Sequence, residues 1–166
     1  MESHDTIKCR KFLELVNAPS RLLPELIKVN EGHLVSGFSV EDLLPSVKFV
    51  RGAIRYVLHR MLDMGAKAKL DEKTLRMYRG SCEMHLRNLE ALVDPHWQKR
   101  LPYFIRRDFP VIAKTARDAA NAFLHVYRSP EHKWPRIATC KWCLGYFVME
   151  HEGEEFCSEL CKEKHT

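Results

Sequence analysis

Cys140, Cys143, Cys157 and Cys161, spaced Cys-x2-Cys, thirteen residues, Cys-x3-Cys, constrain this chain more than any other feature. Two cysteines two residues apart on a tight turn aim both sulfurs at one ion, and Gly145 just after the turn eases the backbone requirement there. Cys157 and Cys161 are four apart, so on the first turn of a helix both thiolates face one side, near the positive end of its dipole. Four thiolates complete a tetrahedral shell and leave no coordination position for a reacting water, which describes a structural site that drives folding. Zinc (Zn2+) is the expected occupant. An iron centre is the competing reading, but it usually comes with different spacing and more glycine.

The cytoplasm is the expected location, and there the six cysteines should be reduced, which favours metal binding over disulfides for those that cluster. Met1-Glu2-Ser3-His4-Asp5 lacks the basic start and apolar run of a signal peptide, and no stretch approaches the roughly 20 apolar residues of a spanning helix, so no membrane is expected. Cys9 and Cys82 stand apart from the quartet and read as buried structural thiols.

The residues before the quartet read as helices. Phe12, Leu15 and Val16 recur at helical spacing until Pro19-Ser20, and a second short run spans Leu22 to Val29. The pattern breaks into a loop around Glu31-Gly32-His33 and Ser36-Gly37. Ser39 and Asp42 then resemble a capping box on a short helical turn, and Pro45 suits the first turn of a long helix ending near Met64, with Gly65 as its stop. A further helix is expected from about Asp71 to Val93, presenting Leu75, Tyr78, Cys82, Leu86 and Leu89. The segment from Trp97 to Asp108 carries no assignable period. Pro110 is placed at the start of a last helix bearing Ala113, Ala116, Ala120, Phe123, Leu124 and Tyr127, which breaks at Ser129-Pro130. No useful strand precedes residue 137. Gly145 to Met149 and Glu154 to Phe156 read as a hairpin turning at His151-Glu152-Gly153. The expected architecture is therefore mainly α: a helical domain over 1–133, then a small zinc module over 134–166 with a short β-hairpin. Trp134 is expected to pack at the junction.

At this point the residues resemble a known family. Trp134-Pro135-Arg136-Ile137 before the first cysteine pair, Tyr146-Phe147 after it and Phe156-Cys157-Ser158 before Cys161 are similar to the treble-clef zinc finger of the CGNR type. Phe12-Leu13-Glu14-Leu15-Val16-Asn17 is similar to the opening helix of the ABATE domain, which precedes that finger in bacterial proteins. The resemblance implies a treble clef, the four cysteine ligands and a bacterial transcription regulator of the stress-induced type. The chain departs from the family pattern in having Cys161-Lys162-Glu163-Lys164 in place of Cys-Gly-Asn-Arg, and glutamates where arginines are usual.

Charge adds a second constraint. From Ile137 to Thr166 there are three basic and six acidic residues, a net of −3, so the preceding residues hold +8 of a total of +5. An acidic module thus follows a basic body. Lys99, Arg100, Arg106, Arg107, Lys114 and Arg117 lie near one another in sequence, with Trp97, Tyr103 and Phe104 interleaved as stacking groups. They suggest nucleic-acid binding through the body with a regulatory outcome; a solvated helix face over core aromatics is the plainer alternative. The competing role is protein interaction, in which the module is an acidic knob and the body holds a partner, a second copy or a small ligand. Phe147, Val148 and Met149 would then supply an apolar contact, although the commoner fate of such residues is to cover the metal site. No enzyme is expected: His-Glu-x-x-His, a phosphate-binding glycine loop and Gly-x-Ser-x-Gly are all missing from the sequence. His33, His59, His85, His96, His125 and His132 read as surface or hydrogen-bonded core histidines, with His125, Glu131 and His132 the nearest thing to a second metal set.

Overall fold

Helix-forming periodicity governs the chain up to Arg128, and the computed structural model, which describes residues 4–32, 37–65, 70–128 and 137–166, is mainly α. Helices α1 (His4–Asn17), α2 (Leu23–Glu31), α3 (Val40–Gly65), α4 (Glu72–Val93) and α7 (Lys114–Arg128) build the body. Two single turns, α5 (Trp97–Arg100) and α6 (Tyr103–Arg106), lie between α4 and α7. The C-terminal module consists of β1 (Ile137–Thr139), β2 (Tyr146–Val148) and α8 (Glu159–His165). Ser129-Pro130, Trp134 and the expected boundary at 133 lie outside the described residues, as do His33, Glu131 and His132.

Helix α7 is the centre of the body and touches α1, α2, α3 and α4. Its buried face carries Ala116, Ala119, Ala120 and Ala122, short side chains that let neighbouring helices approach closely, around one large residue, Phe123. Phe123 meets Phe12 of α1 edge to face, with ring centroids 5.2 Å apart and planes at 86°. Cys9 and Cys82 are both buried in this core.

The start of α3 carries the expected capping box but joins two expected elements into one. Asp42 Oδ2 accepts from Ser39 N at 2.9 Å, and Asp42 N donates to Ser39 Oγ at 3.3 Å, closing the expected capping box. The short turn and the long helix are nevertheless one continuous element, and Pro45 lies inside it rather than at its start. A proline in the second turn forfeits only its own bond back toward Glu41, so a well-capped helix runs through it. Asp71 caps α4 through Thr74 N at 2.8 Å, as its sequence position suggests.

Helix α7 begins at Lys114, not at Pro110, because two side chains from distant elements claim its first amides. Ala113 N donates to Ser46 Oγ of α3 at 3.0 Å, and Thr115 N and Oγ1 donate to Glu31 Oε1 of α2 at 2.7 and 2.9 Å. Glu31, read from sequence as part of a loop, is the buried last residue of α2 and caps α7 through space. Glu31→Ala leaves the Thr115 amide and hydroxyl without their acceptor inside the protein, and a loss of about 1–3 kcal/mol is expected in urea unfolding. Glu31→Gln keeps one acceptor oxygen and should lose less. An unchanged midpoint for Glu31→Ala would remove the carboxylate from this role.

Candidate metal centre

The four cysteines come together, and they do so around a different hairpin from the expected one. β1 pairs antiparallel with β2, Ile137 opposite Val148 and Thr139 opposite Tyr146, so the strands flank the first cysteine pair instead of following it. Glu154 to Phe156 forms no strand; its tie to the site is a single bond, Lys141 N to Glu155 O at 2.9 Å, backed by the Lys141–Glu155 ion pair. The reason is local: Cys140 N donates to Gly145 O at 2.9 Å and Leu144 N to Cys140 O at 3.0 Å, closing a tight knuckle that leaves 137–139 and 146–148 side by side.

Within that knuckle the left-handed residue is Leu144, at φ 60°, and not Gly145. Gly145 is closely approached on one side. A Cβ there would stand 3.4 Å from both Asn17 Oδ1 and Cys143 Sγ.

The second pair straddles the start of α8. Cys157 precedes the cap residue Ser158, whose Oγ accepts from Cys161 N at 3.2 Å, and Cys161 follows one turn later. All four sulfurs lie within 4.8 Å of one another, with Cys143 Sγ to Cys157 Sγ at 3.6 Å and Cys157 Sγ to Cys161 Sγ at 3.5 Å. A tetrahedral ion with metal–sulfur bonds of about 2.3 Å separates its ligands by about 3.8 Å, so the quartet fits one ion of that kind. Cys140 is buried, Cys161 half-buried, and Cys143 and Cys157 face outward.

The sulfurs' own electrostatics also call for a cation. Burial pushes the Cys140 thiol up, but the backbone amides of Cys143, Cys157 and Trp142 outweigh it and bring the group down to about 6. Burial, and then the neighbouring thiols of Cys161, Cys143 and Cys140, push Cys157 up to about 12, and burial raises Cys143 as well. One thiolate therefore forms readily and its neighbours resist a second negative charge. A divalent cation at the centre reverses that resistance.

The module is fixed to the body through Asn17, the last residue of α1. Its Nδ2 donates to Tyr146 O at 2.7 Å while its Oδ1 accepts from Tyr146 N at 2.8 Å, so one amide side chain pairs with β2 as a neighbouring strand would. Tyr146 and Val148 pack on the helical core. Phe147, Val148 and Met149, exposed only under the protein-interaction reading and otherwise expected to cover the metal site, are half-buried. The large exposed apolar side chains of the module are Trp142, Leu144 and Leu160, each adjoining a cysteine of the quartet.

The six basic residues divide into two groups. Lys99, Arg100, Arg106 and Arg107 belong to α5, α6 and their edge, where Tyr103 and Phe104 are 70% and 63% exposed. Arg100 pairs with Asp94 at 3.0 Å, Arg107 with Asp108 at 3.6 Å, and Arg106 donates to Gln98 O while lying over the Tyr103 ring at 5.5 Å. Trp97 is half-buried against Phe109. Lys114 and Arg117 lie on α7, where Lys114 is engaged by Asp118 at 2.6 Å. Lys99 and Arg117 have no ion-pair partner among the described residues.

Among the histidines, His85 is half-buried against Tyr56 with ring centroids 4.4 Å apart, and its Nδ1 has no hydrogen-bond partner among the described residues. Burial lowers its pKa, which favours the neutral ring. No helix among the described residues is long and apolar enough to cross a membrane. Compared with family models, with curated proteins and with solved structures, the chain finds no match.

Proposed function

We propose that this chain is a non-catalytic regulatory protein whose C-terminal module is held by a structural zinc ion and whose helical body contacts nucleic acid through the α5–α6 face. The observation that carries the second half is the pair Tyr103 and Phe104, large aromatic side chains left in solvent between Lys99-Arg100 and Arg106-Arg107. Burying them elsewhere in the body would remove apolar surface from water; a face that keeps them out beside four cations suits bases that stack and phosphates that pair. Lys114 and Arg117 are peripheral to this reading. The similarity of the two ends of the chain to ABATE-domain and CGNR-finger proteins favours the same regulatory class, and the all-thiolate donor set favours zinc in a closed site over a catalytic one.

Fluorescence anisotropy with labelled single-stranded and duplex oligonucleotides tests the contact. Binding should weaken with salt by roughly 0.7 to 0.9 log units of affinity per log unit of salt for each phosphate contacted. Tyr103→Ala and Phe104→Ala should each weaken single-strand binding by about 5- to 150-fold, the value of a lost base stack. No binding at low salt, or affinity flat across salt, overturns the reading. The module's exposed Trp142, Leu144 and Leu160 favour a second, protein-binding use of the same molecule.

A further inference from the structure

The molecule presents two exposed surfaces of opposite character. One is the metal module, with six glutamates against three lysines and with Trp142, Leu144 and Leu160 projecting into solvent. Leu160 and Glu163 are three apart on α8 and so share a face, an apolar side chain beside an acidic one. An open groove of about 450 Å3 in the same module has Phe147 and Phe156 among its lining and glutamates 150, 154, 155 and 159 around them. The other surface is the α5–α6 face, where four cations stand against Asp94 and Asp108, Lys99 is left without an ion-pair partner among the described residues, and Tyr103 and Phe104 are exposed.

The two are complementary in charge and alike in apolar content, and they rest on different helices. β2 packs on α1, whereas α5 packs on α4, with Phe109 beyond it against Phe49 of α3. We propose that the acidic, apolar-tipped metal module of one copy docks on the basic aromatic α5–α6 face of a second copy of this chain. Glutamates of the module meet Lys99, Arg100 and Arg107, and Leu144 and Leu160 cover Tyr103 and Phe104. Each copy carries both halves, so the contact is head-to-tail and either closes into a ring or propagates. Opposite potentials steer the encounter and set its salt dependence, while the apolar contact supplies the affinity.

The face used is the one assigned above to nucleic acid, so a bound second copy would occlude it. Association is measured without nucleic acid, which keeps the two readings separable. Sedimentation velocity of the metal-loaded full chain over a range of concentrations should show reversible association that weakens as salt rises. Lys99→Glu with Arg107→Glu, or Glu152→Lys with Glu163→Lys, should each weaken it by at least about tenfold. An equimolar mixture of the two reversed proteins should restore association, because the acidic module of the first meets the unaltered basic face of the second. Leu144→Asn removes an apolar side chain that is 72% exposed at a position where asparagine accepts the left-handed backbone. It should weaken association with metal content unchanged, which separates loss of contact from loss of fold. A monomer at every concentration, association indifferent to salt and to both reversals, or failure of the mixture to re-associate overturns the proposal.

Discussion

Chelating the metal, or replacing Cys157 with Ser, should unravel residues 137–166 while leaving α1–α7 folded. Two three-residue strands and a seven-residue helix cannot hold themselves together, since an isolated hairpin is marginal and a helix of that length lies below what water supports. Cys140 is fully buried and Ile137 is buried to 9% exposure, and the module's other apolar side chains are half-buried or exposed, so little hydrophobic burial compensates for the ordering of its backbone. A structural zinc ion on the four thiolates would supply the difference, with an apparent binding free energy of about 10–16 kcal/mol near neutral pH. Metal analysis should find one zinc per chain. After chelation, amide exchange should become fast over 137–166 and stay slow in α3, α4 and α7, and the helical circular dichroism should fall only slightly. Protection that persists in the module without metal would show that the sulfurs do not depend on an ion.

Protons compete with that ion, and the sign follows from the thiols. Cys157 near 12 and the raised Cys143 are protonated at neutral pH in the metal-free state, so binding releases at least about two protons. Metal affinity should therefore rise with pH by about two or more log units per pH unit, and acidification should release the metal. Competition with a chromophoric chelator at several pH values measures the slope.

Phe123→Ala should cost about 3–5 kcal/mol, a large part of the 5–15 kcal/mol typical of a domain. Phe123 is fully buried, packs edge-on against Phe12 and lies 5.9 Å from the Tyr127 ring. The alanines around it on α7 cannot expand to fill the space it leaves, so the cavity persists. Phe123→Leu should lose less because more of the volume remains. Phe104→Ala, on the exposed face, should stay within about 0.5 kcal/mol of the parent. Denaturant midpoints of the three variants check the order; a Phe123→Ala protein as stable as Phe104→Ala would mean that α7 is not the centre of the body.

Much of this architecture was legible in the sequence for identifiable reasons. The long helices repeat their apolar residues over many turns, so α3 and α4 declare themselves even where an end shifts, and Ser39 and Asp71 cap at the positions their chemistry suggests. The segment from Trp97 to Asp108 could not be read because α5 and α6 are one turn each, too short to show a period. The hairpin was assigned to the wrong partner because Ile137–Thr139 and the stretch from Glu154 to Phe156 are both able to form strands. The knuckle bonds between Cys140 and Leu144-Gly145 choose between them.

Alone, the sequence determined the four cysteines able to hold a metal ion, the helical character of the body and the division of charge between body and module, because each is carried by residue type and near-neighbour spacing. The tertiary structure alone decided where α7 begins, how the module is attached and which cations remain open to a partner. The first two of those outcomes rest on Ser46 with Ala113, Glu31 with Thr115 and Asn17 with Tyr146, pairs 67, 84 and 129 residues apart. A side chain that satisfies a backbone group at such separations leaves no local periodicity to read, and only the packed core brings the two within hydrogen-bond distance.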